Sequence, residues 1–256
     1  MLSLRALPVL LLPLSLSATA ETKIILLGGG AGPDSTEISI EKNVAWVTDI
    51  LTRNGNNDFD VQFASGSHGN FDVMETVLDI AELGKWLPLA RVLGSKSAML
   101  TTYRKNTVAN RSQANTRENV IELLQKRLQE SKSGDDMLII YHGHGGHVPE
   151  DTSLNYLRLW DGTQLSVVEL REVLQQQPDD VILRFILPQC YSGASLRLIH
   201  NDAGDASIDN VNTKRCGFVT VPDDRMSEGC TVEADEARYR DFLSYFFAAI
   251  DGRSRL

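Results

Sequence analysis

Apolar residues recur along this chain with two periods, and the alternation between those periods outlines a fold. Lys23 to Leu27 is a short β-rich run opening onto Gly28-Gly29-Gly30, which predicts a central strand ending in a loop. Glu41 to Arg53 carries Val44, Val47, Ile50 and Leu51 at helical spacing, and Asn54-Gly55-Asn56-Asn57 ends it. Phe59 to Ala64 alternates as a second strand, and Val73 to Leu93 reads as a long helical stretch kinked near Gly84 and Pro88. Ser95 to Asn115 is polar and without a clear period. Thr116 to Lys132 predicts an amphipathic helix with Thr116 as N-cap, Glu118 and Glu122 early, and Lys126 and Arg127 late. Met137 to Tyr141 and Val181 to Leu187 are apolar runs that belong to buried strands. Between them, Val148 to Trp160 reads as a short hairpin and Ser166 caps a helix through Leu174. Tyr191 to His200 begins another helix, Gly217 to Val221 forms a strand, and Glu233 to Ile250 is a closing amphipathic helix.

Strands alternating with helices at this spacing predict an α/β fold with a mostly parallel central sheet and helices on both faces. No internal repeat or linker interrupts residues 21–256, so one domain is expected there. Residues 1–20 stand apart. Arg5 precedes an apolar core from Leu7 to Leu16, and Ala18-Thr19-Ala20 offers small residues for cleavage before Glu21. This is the pattern of a cleaved signal peptide. The core is too short to span a bilayer comfortably, so no membrane association is expected after cleavage, and the protein is placed in the periplasm or outside the cell. Loss of Arg5 takes the formal charge from -9 to -10. An acidic exported chain with a pI near 5.1 is a poor partner for nucleic acid.

The candidate chemistry gathers at the ends of the two buried strands. One runs Tyr141-His142-Gly143-His144-Gly145-Gly146, the other Pro188-Gln189-Cys190-Tyr191-Ser192-Gly193. The carboxyl ends of parallel strands are where open α/β sheets place their sites. Cys190 lies at such an end, before a helix whose dipole favours a thiolate. A histidine on a neighbouring strand completes a cysteine hydrolase pair. From chemistry alone either His142 or His144 serves, since each precedes a glycine. The N–H groups of Gly145 and Cys190 form a candidate oxyanion hole. A competing reading takes His142, His144 and His147 as ligands of a metal hydrolase. That pattern has Asp before the third histidine, where this chain has Gly146, and outside this turn only His200 lies near the Cys190 segment. Gly28-Gly29-Gly30-Ala31-Gly32 lacks the spacing of a phosphate-binding loop. It reads instead as a loop lining a peptide cleft, with Asp34, Ser35 and Thr36 available to substrate, or as a turn with no ligand; Gln189, directly before Cys190, is a further candidate for substrate binding.

The chain has three cysteines, Cys190, Cys216 and Cys230. Cys216 and Cys230 flank a short segment and are expected to pair in an oxidising compartment, leaving Cys190 free. The alternative is three free thiols.

These segments resemble the caspase, legumain, gingipain and metacaspase group of cysteine peptidases. Tyr141-His142-Gly143-His144-Gly145 resembles the Tyr-Ser-Gly-His-Gly of metacaspases, and His144-Gly145-Gly146 the Asp-His-Gly-Gly of legumains. Both alignments select His144. Cys190-Tyr191-Ser192-Gly193 resembles the Cys-Glu-Ser-Gly of legumains and the Cys-His-Ser-Gly of metacaspases. Caspases place the histidine about 50 residues before the cysteine; the separation here is 46 (190 − 144). The resemblance implies a caspase-like three-layer α/β/α sandwich and a cysteine endopeptidase working by a Cys190–His144 dyad. It implies no metal or organic cofactor, and a peptide or protein substrate. Pro188 stands where metacaspases have Asp, and no Arg follows Cys190 as in caspases, so their side-chain preferences do not transfer. A caspase-like module that binds without cleaving is the alternative from another functional class.

Overall fold

The computed structural model describes residues 20–78, 84–86, 88–89, 92, 99–201, 211–229 and 241–252. The expected leader, apart from Ala20, and Cys230 lie outside the described residues, as do parts of the segments expected as helices over 73–93 and 233–250. The strands in chain order are β1 (Thr22–Gly29), β2 (Phe59–Phe63), β3 (Val73–Leu78), β4 (Met99–Arg104) and β5 (Asp136–Gly146). They continue with β6 (Tyr156–Arg158), β7 (Gln164–Ser166), β8 (Ile182–Leu187) and β9 (Arg215–Val219). The helices are α1 (Ile38–Arg53), α2 (Arg117–Glu130), α3 (Val167–Leu174) and α4 (Phe242–Asp251).

Five strands pair in parallel in the order β2–β1–β5–β8–β9. Side chains alternate across this sheet with period two, which divides the core into two layers. Ile25 and Leu27 of β1, Met137, Ile139 and Tyr141 of β5, and Leu183 and Phe185 of β8 pack with α2 and α3. Ile24, Leu26, Ile140 and Ile186 face the other way and pack with α1 and α4. The fold is therefore a three-layer α/β/α sandwich with a mostly parallel sheet, the expected class. The apolar stripes of α1 and α2 explain their docking: Val44 and Val47 of the first and Val120 and Leu124 of the second are fully buried. Each such side chain contributes about 1.5–3 kcal/mol. Thr116 caps α2 by accepting the Asn119 N–H, and Ser166 with Glu169 forms a capping box on α3. No described helix is long and apolar enough to cross a membrane.

Four elements differ from expectation. Val73–Leu78 is a strand, antiparallel to Met99–Arg104 in the polar segment that showed no period. Val73 and Val77 are four apart, a spacing that satisfies one face of a helix and one face of a strand alike. Long-range contacts decide between them, because the Met74 N–H donates to the Thr36 carbonyl and the Asp72 N–H to the Arg104 carbonyl. The hairpin expected over Val148–Trp160 begins earlier, since the tail of β5 (His144–Gly146) pairs with β6, which pairs onward with β7. After Cys190 the chain forms a 3-10 helix over Ser192–Ile199. In the closing segment, α4 starts at Phe242, with Asp241 as its N-cap.

Candidate active site

His144 and Cys190 reach the same end of the sheet because β5 and β8 are parallel neighbours, with Ile140 opposite Ile186. Both line one cavity of about 230 Å3, together with Glu37, Gln189, Ser227 and Asp241. The backbones meet closely: a Cβ built on Gly145 would lie 2.0 Å from the Cys190 carbonyl oxygen. Only a glycine fits at that point.

The turn that presents Cys190 is held from several directions. Tyr191, the next residue, has φ 61°, the left-handed region in which a bulky side chain is uncommon. Its N–H donates to the Arg225 carbonyl, and its ring stacks on His147 with centroids 4.7 Å apart. The Ser192 hydroxyl accepts the Thr220 N–H at 3.1 Å. The loop after β9 is thereby tied to the Cys190 turn, and the Cys190 thiol donates to the Ser227 carbonyl in that loop at 3.8 Å.

The three clustered histidines have three separate partners. His144 Nε2 lies 2.9 Å from the Glu37 carboxylate, which projects from the N-cap position of α1. His142 is buried, and its Nε2 lies 3.0 Å from Asn43 Nδ2. His147 Nδ1 lies 3.1 Å from Asn155 Oδ1. Among the described residues, no group of three His, Cys, Asp or Glu side chains is placed to hold a metal, and the histidine trio of the competing reading does not converge. Beneath the cavity, Asp241 accepts the Ser244 N–H and hydroxyl at 2.9 Å, and Ser244 also donates to Asn43. Burial opposes ionisation of Asp241. The His142 charge and these hydrogen bonds outweigh it and hold the carboxyl below its usual range.

Of the residues expected to touch substrate, Gln189 lies in the cavity wall and buries an Oε1 that has no hydrogen-bond partner among the described residues. Asp34 and Ser35 are turned elsewhere. Asp34 accepts from the Tyr103 hydroxyl at 2.5 Å, and Ser35 closes a turn with Gly32. Thr36 is buried and accepts the Gly30 N–H. Cys216 is an exposed free thiol on β9, and its expected partner Cys230 lies outside the described residues.

Glu37 and Asp241 are the cavity residues that sequence reasoning passed over. Glu37 had a signal: it follows the glycine loop at the end of β1, and β1 is the other parallel neighbour of β5.

No family model matches the chain, and no curated protein matches it in sequence. Among solved structures, it is similar to protein GSU0716 from Geobacter sulfurreducens at 18% identity and a TM-score of 0.39, over 66% of this chain and 50% of that one. A secreted C11 cysteine protease from Bacteroides thetaiotaomicron, bound to an irreversible peptide inhibitor, matches at 10% identity and a TM-score of 0.34, over 71% of this chain and 45% of that one. A second structure of a secreted C11 cysteine protease from that organism, "iotapain", matches at 12% identity and a TM-score of 0.32, over 69% and 49%. The chain spans about half the length of these structures. A superposition this partial assigns neither family nor chemistry.

Proposed function

We propose that the protein is an exported cysteine endopeptidase of the caspase-like group. The observation that carries this reading is the meeting of His144 and Cys190 in one cavity at the carboxyl ends of neighbouring parallel strands. In the mechanism, the Cys190 thiolate attacks the scissile carbonyl and forms a tetrahedral oxyanion against the Gly145 and Cys190 N–H groups. Collapse expels the amine, which takes its proton from His144. Water then attacks the thioester and gives a proton to His144; collapse of this second tetrahedral intermediate releases the carboxylic acid product and expels the Cys190 thiolate, which restores the starting pair. Glu37, hydrogen-bonded to His144 Nε2, holds the ring and leaves Nδ1 for the reaction. The chemistry calls on no metal or organic cofactor. Glu37, Glu228 and Asp241 place three carboxylates around the cavity, so a cationic substrate side chain complements it. The chain before Glu21 serves as a cleaved leader, and Cys216 pairs with Cys230 after export.

A non-catalytic binding module is favoured by one observation: the Cys190 thiol donates to the Ser227 carbonyl, an arrangement suited to a neutral thiol. A peptidyl electrophile carrying a lysine side chain separates the two readings. A peptidase labels at Cys190 at neutral pH far faster than with a small alkylating agent. Cys190→Ala abolishes labelling with little change in melting temperature, and His144→Ala slows it more than His147→Ala does. Equal, slow rates for both reagents would leave the binding module.

A further inference from the structure

Among the described residues the buried cations are Lys23, Arg171 and Arg215. Lys23 has the carboxylates of Asp135 and Glu21 beside it. The two arginines, each 8% exposed, have no carboxylate within ion-pair distance among the described residues. Arg215 spends its donors on neutral oxygens: Nε to Gln177 Oε1 at 2.7 Å, Nη1 to the Leu198 carbonyl and Nη2 to the Leu174 carbonyl. Arg171 donates from Nη2 to the Asn201 carbonyl, and its Nε is buried with no partner among the described residues. Burial, and then the neighbouring Arg171 charge, hold the Arg215 guanidinium below its ordinary value. In a chain of formal charge -9, two adjacent buried cations without a counter-charge among the described residues are an unusual arrangement.

A polar cavity of about 360 Å3 opens against them. Gln177, Asn201, Asn212, Thr213, Lys214 and Arg215 contribute to its wall, with Asp179 as a carboxylate at the edge. Among the described lining residues, Lys214 and Arg215 outweigh Asp179 by +1 (2 − 1), and Arg171 reaches the same wall through the Asn201 carbonyl. We infer that this cavity is a binding site for a dianionic phosphate, either free or on a small phosphomonoester. Guanidinium donors match phosphate oxygens in geometry as well as charge. The site is separate from Cys190. It lies where β8 and β9 begin, with Leu183 donating to the Lys214 carbonyl, about 20 Å along the strand from the nucleophile. It remains connected to it, because Arg215 grips Leu198 in the 3-10 helix that starts two residues after Cys190.

The test is thermal unfolding of the full chain titrated with inorganic phosphate, O-phosphoserine or chloride at matched ionic strength. A site of this kind gives a saturable rise in melting temperature, on the order of 5–10 °C at a hundredfold excess over Kd. A rise with both phosphates assigns a phosphomonoester pocket, and a rise with inorganic phosphate alone assigns a free-ion site. Lys214→Gln, on the exposed rim, and Arg171→Gln each weaken the response at least tenfold. An equal rise with chloride, no rise at all, or an undiminished response in Lys214→Gln overturns the proposal. So does loss of stability in phosphate-free buffer on Asp202→Asn or Asp205→Asn, since the chain would then supply the counter-charge itself. Peptidase activity enters none of these readouts, so failure of the catalytic reading leaves the result intact.

Discussion

Replacing Gly145 with alanine tests whether the two backbones must touch for the site to work. The added Cβ would lie 2.0 Å from the Cys190 carbonyl oxygen, 2.8 Å from Gln189 Cγ and 3.0 Å from the Cys190 carbonyl carbon. Real Cβ contacts stay beyond 3.0 Å, so the tail of β5 and the Cys190 turn must separate by at least 1.0 Å (3.0 − 2.0). No flexible side chain can absorb that movement, because the closest atom belongs to the main chain. The turn cannot swing freely either, being tied through the Tyr191 N–H to Arg225 and through Ser192 to Thr220. The displacement falls on the spacing between His144 and Cys190. A misplacement of about 1 Å costs on the order of a hundredfold in rate, and overpacking costs about 1–3 kcal/mol of stability. At about 2–4 °C per kcal/mol for a chain of this size, the melting temperature falls by roughly 2–12 °C. The assay pairs the rate of Cys190 labelling by the peptidyl electrophile with the melting temperature. Gly32→Ala is the control, since its Cβ meets nothing within 4 Å. Wild-type labelling by Gly145→Ala would refute the argument that this close approach sets the catalytic geometry.

Three further outcomes are expected. Glu41 is fully buried and receives two hydrogen bonds from Arg104 and two from Thr107, so Glu41→Ala costs about 3–5 kcal/mol in denaturant unfolding; a loss below about 1 kcal/mol would contradict this. Asp135 is held below the usual carboxylate range because the Lys132 and Glu21 N–H groups and the Lys23 charge outweigh the opposing effect of its burial, and Asp241 is depressed as well. Groups lowered in the folded state stabilise it fully above their unfolded pKa near 4 and lose that contribution as pH falls through the folded value. The melting temperature should therefore decline below about pH 4, and less steeply in Asp135→Asn; identical profiles would remove Asp135 from the account. Cys216 and Cys230 should be disulfide-bonded in exported material, closing a loop of 15 residues counted inclusively and contributing about 3 kcal/mol; alkylation of both in unreduced native protein, read by mass spectrometry, would refute the pairing.

The sheet was legible in the sequence because its central strands are largely buried on both faces, and burial leaves apolar runs in β1, β5 and β8, broken in β8 only by Arg184. The meeting of His144 with Cys190 was legible for the same reason, since two such runs stop at those residues. Helix ends were legible where a local hydrogen bond fixes them, at Thr116 and Ser166. Val73–Leu78 misled because its spacing suits both periods, and its partners lie at Thr36 and Arg104, where no local pattern points. Glu37 and Asp241 went unread because each is a polar residue preceding a helix, a place where capping accounts for it. Their second role depends on which strand ends the fold brings beside them. Asp34 and Ser35 lie in the same loop as Glu37, three and two residues away, but their partners are Tyr103 and Gly32. Nearness in sequence to a cleft loop does not orient a side chain.

The parallel order of the sheet also bears on how the molecule assembles. Asp136 pairs with Thr22 on one side and Ile182 on the other. The two closures thus span 114 residues (136 − 22) and 46 residues (182 − 136). Loop-closure entropy grows with the logarithm of length, so joining β5 to β8 costs about 0.8 kcal/mol less than joining β5 to β1. The strands that carry His144 and Cys190 are therefore expected to meet before β1 inserts beside β5 and brings Glu37 to the histidine. On the proposed reading Cys190 and His144 would associate first, and Glu37 would reach His144 only with a later and more non-local closure.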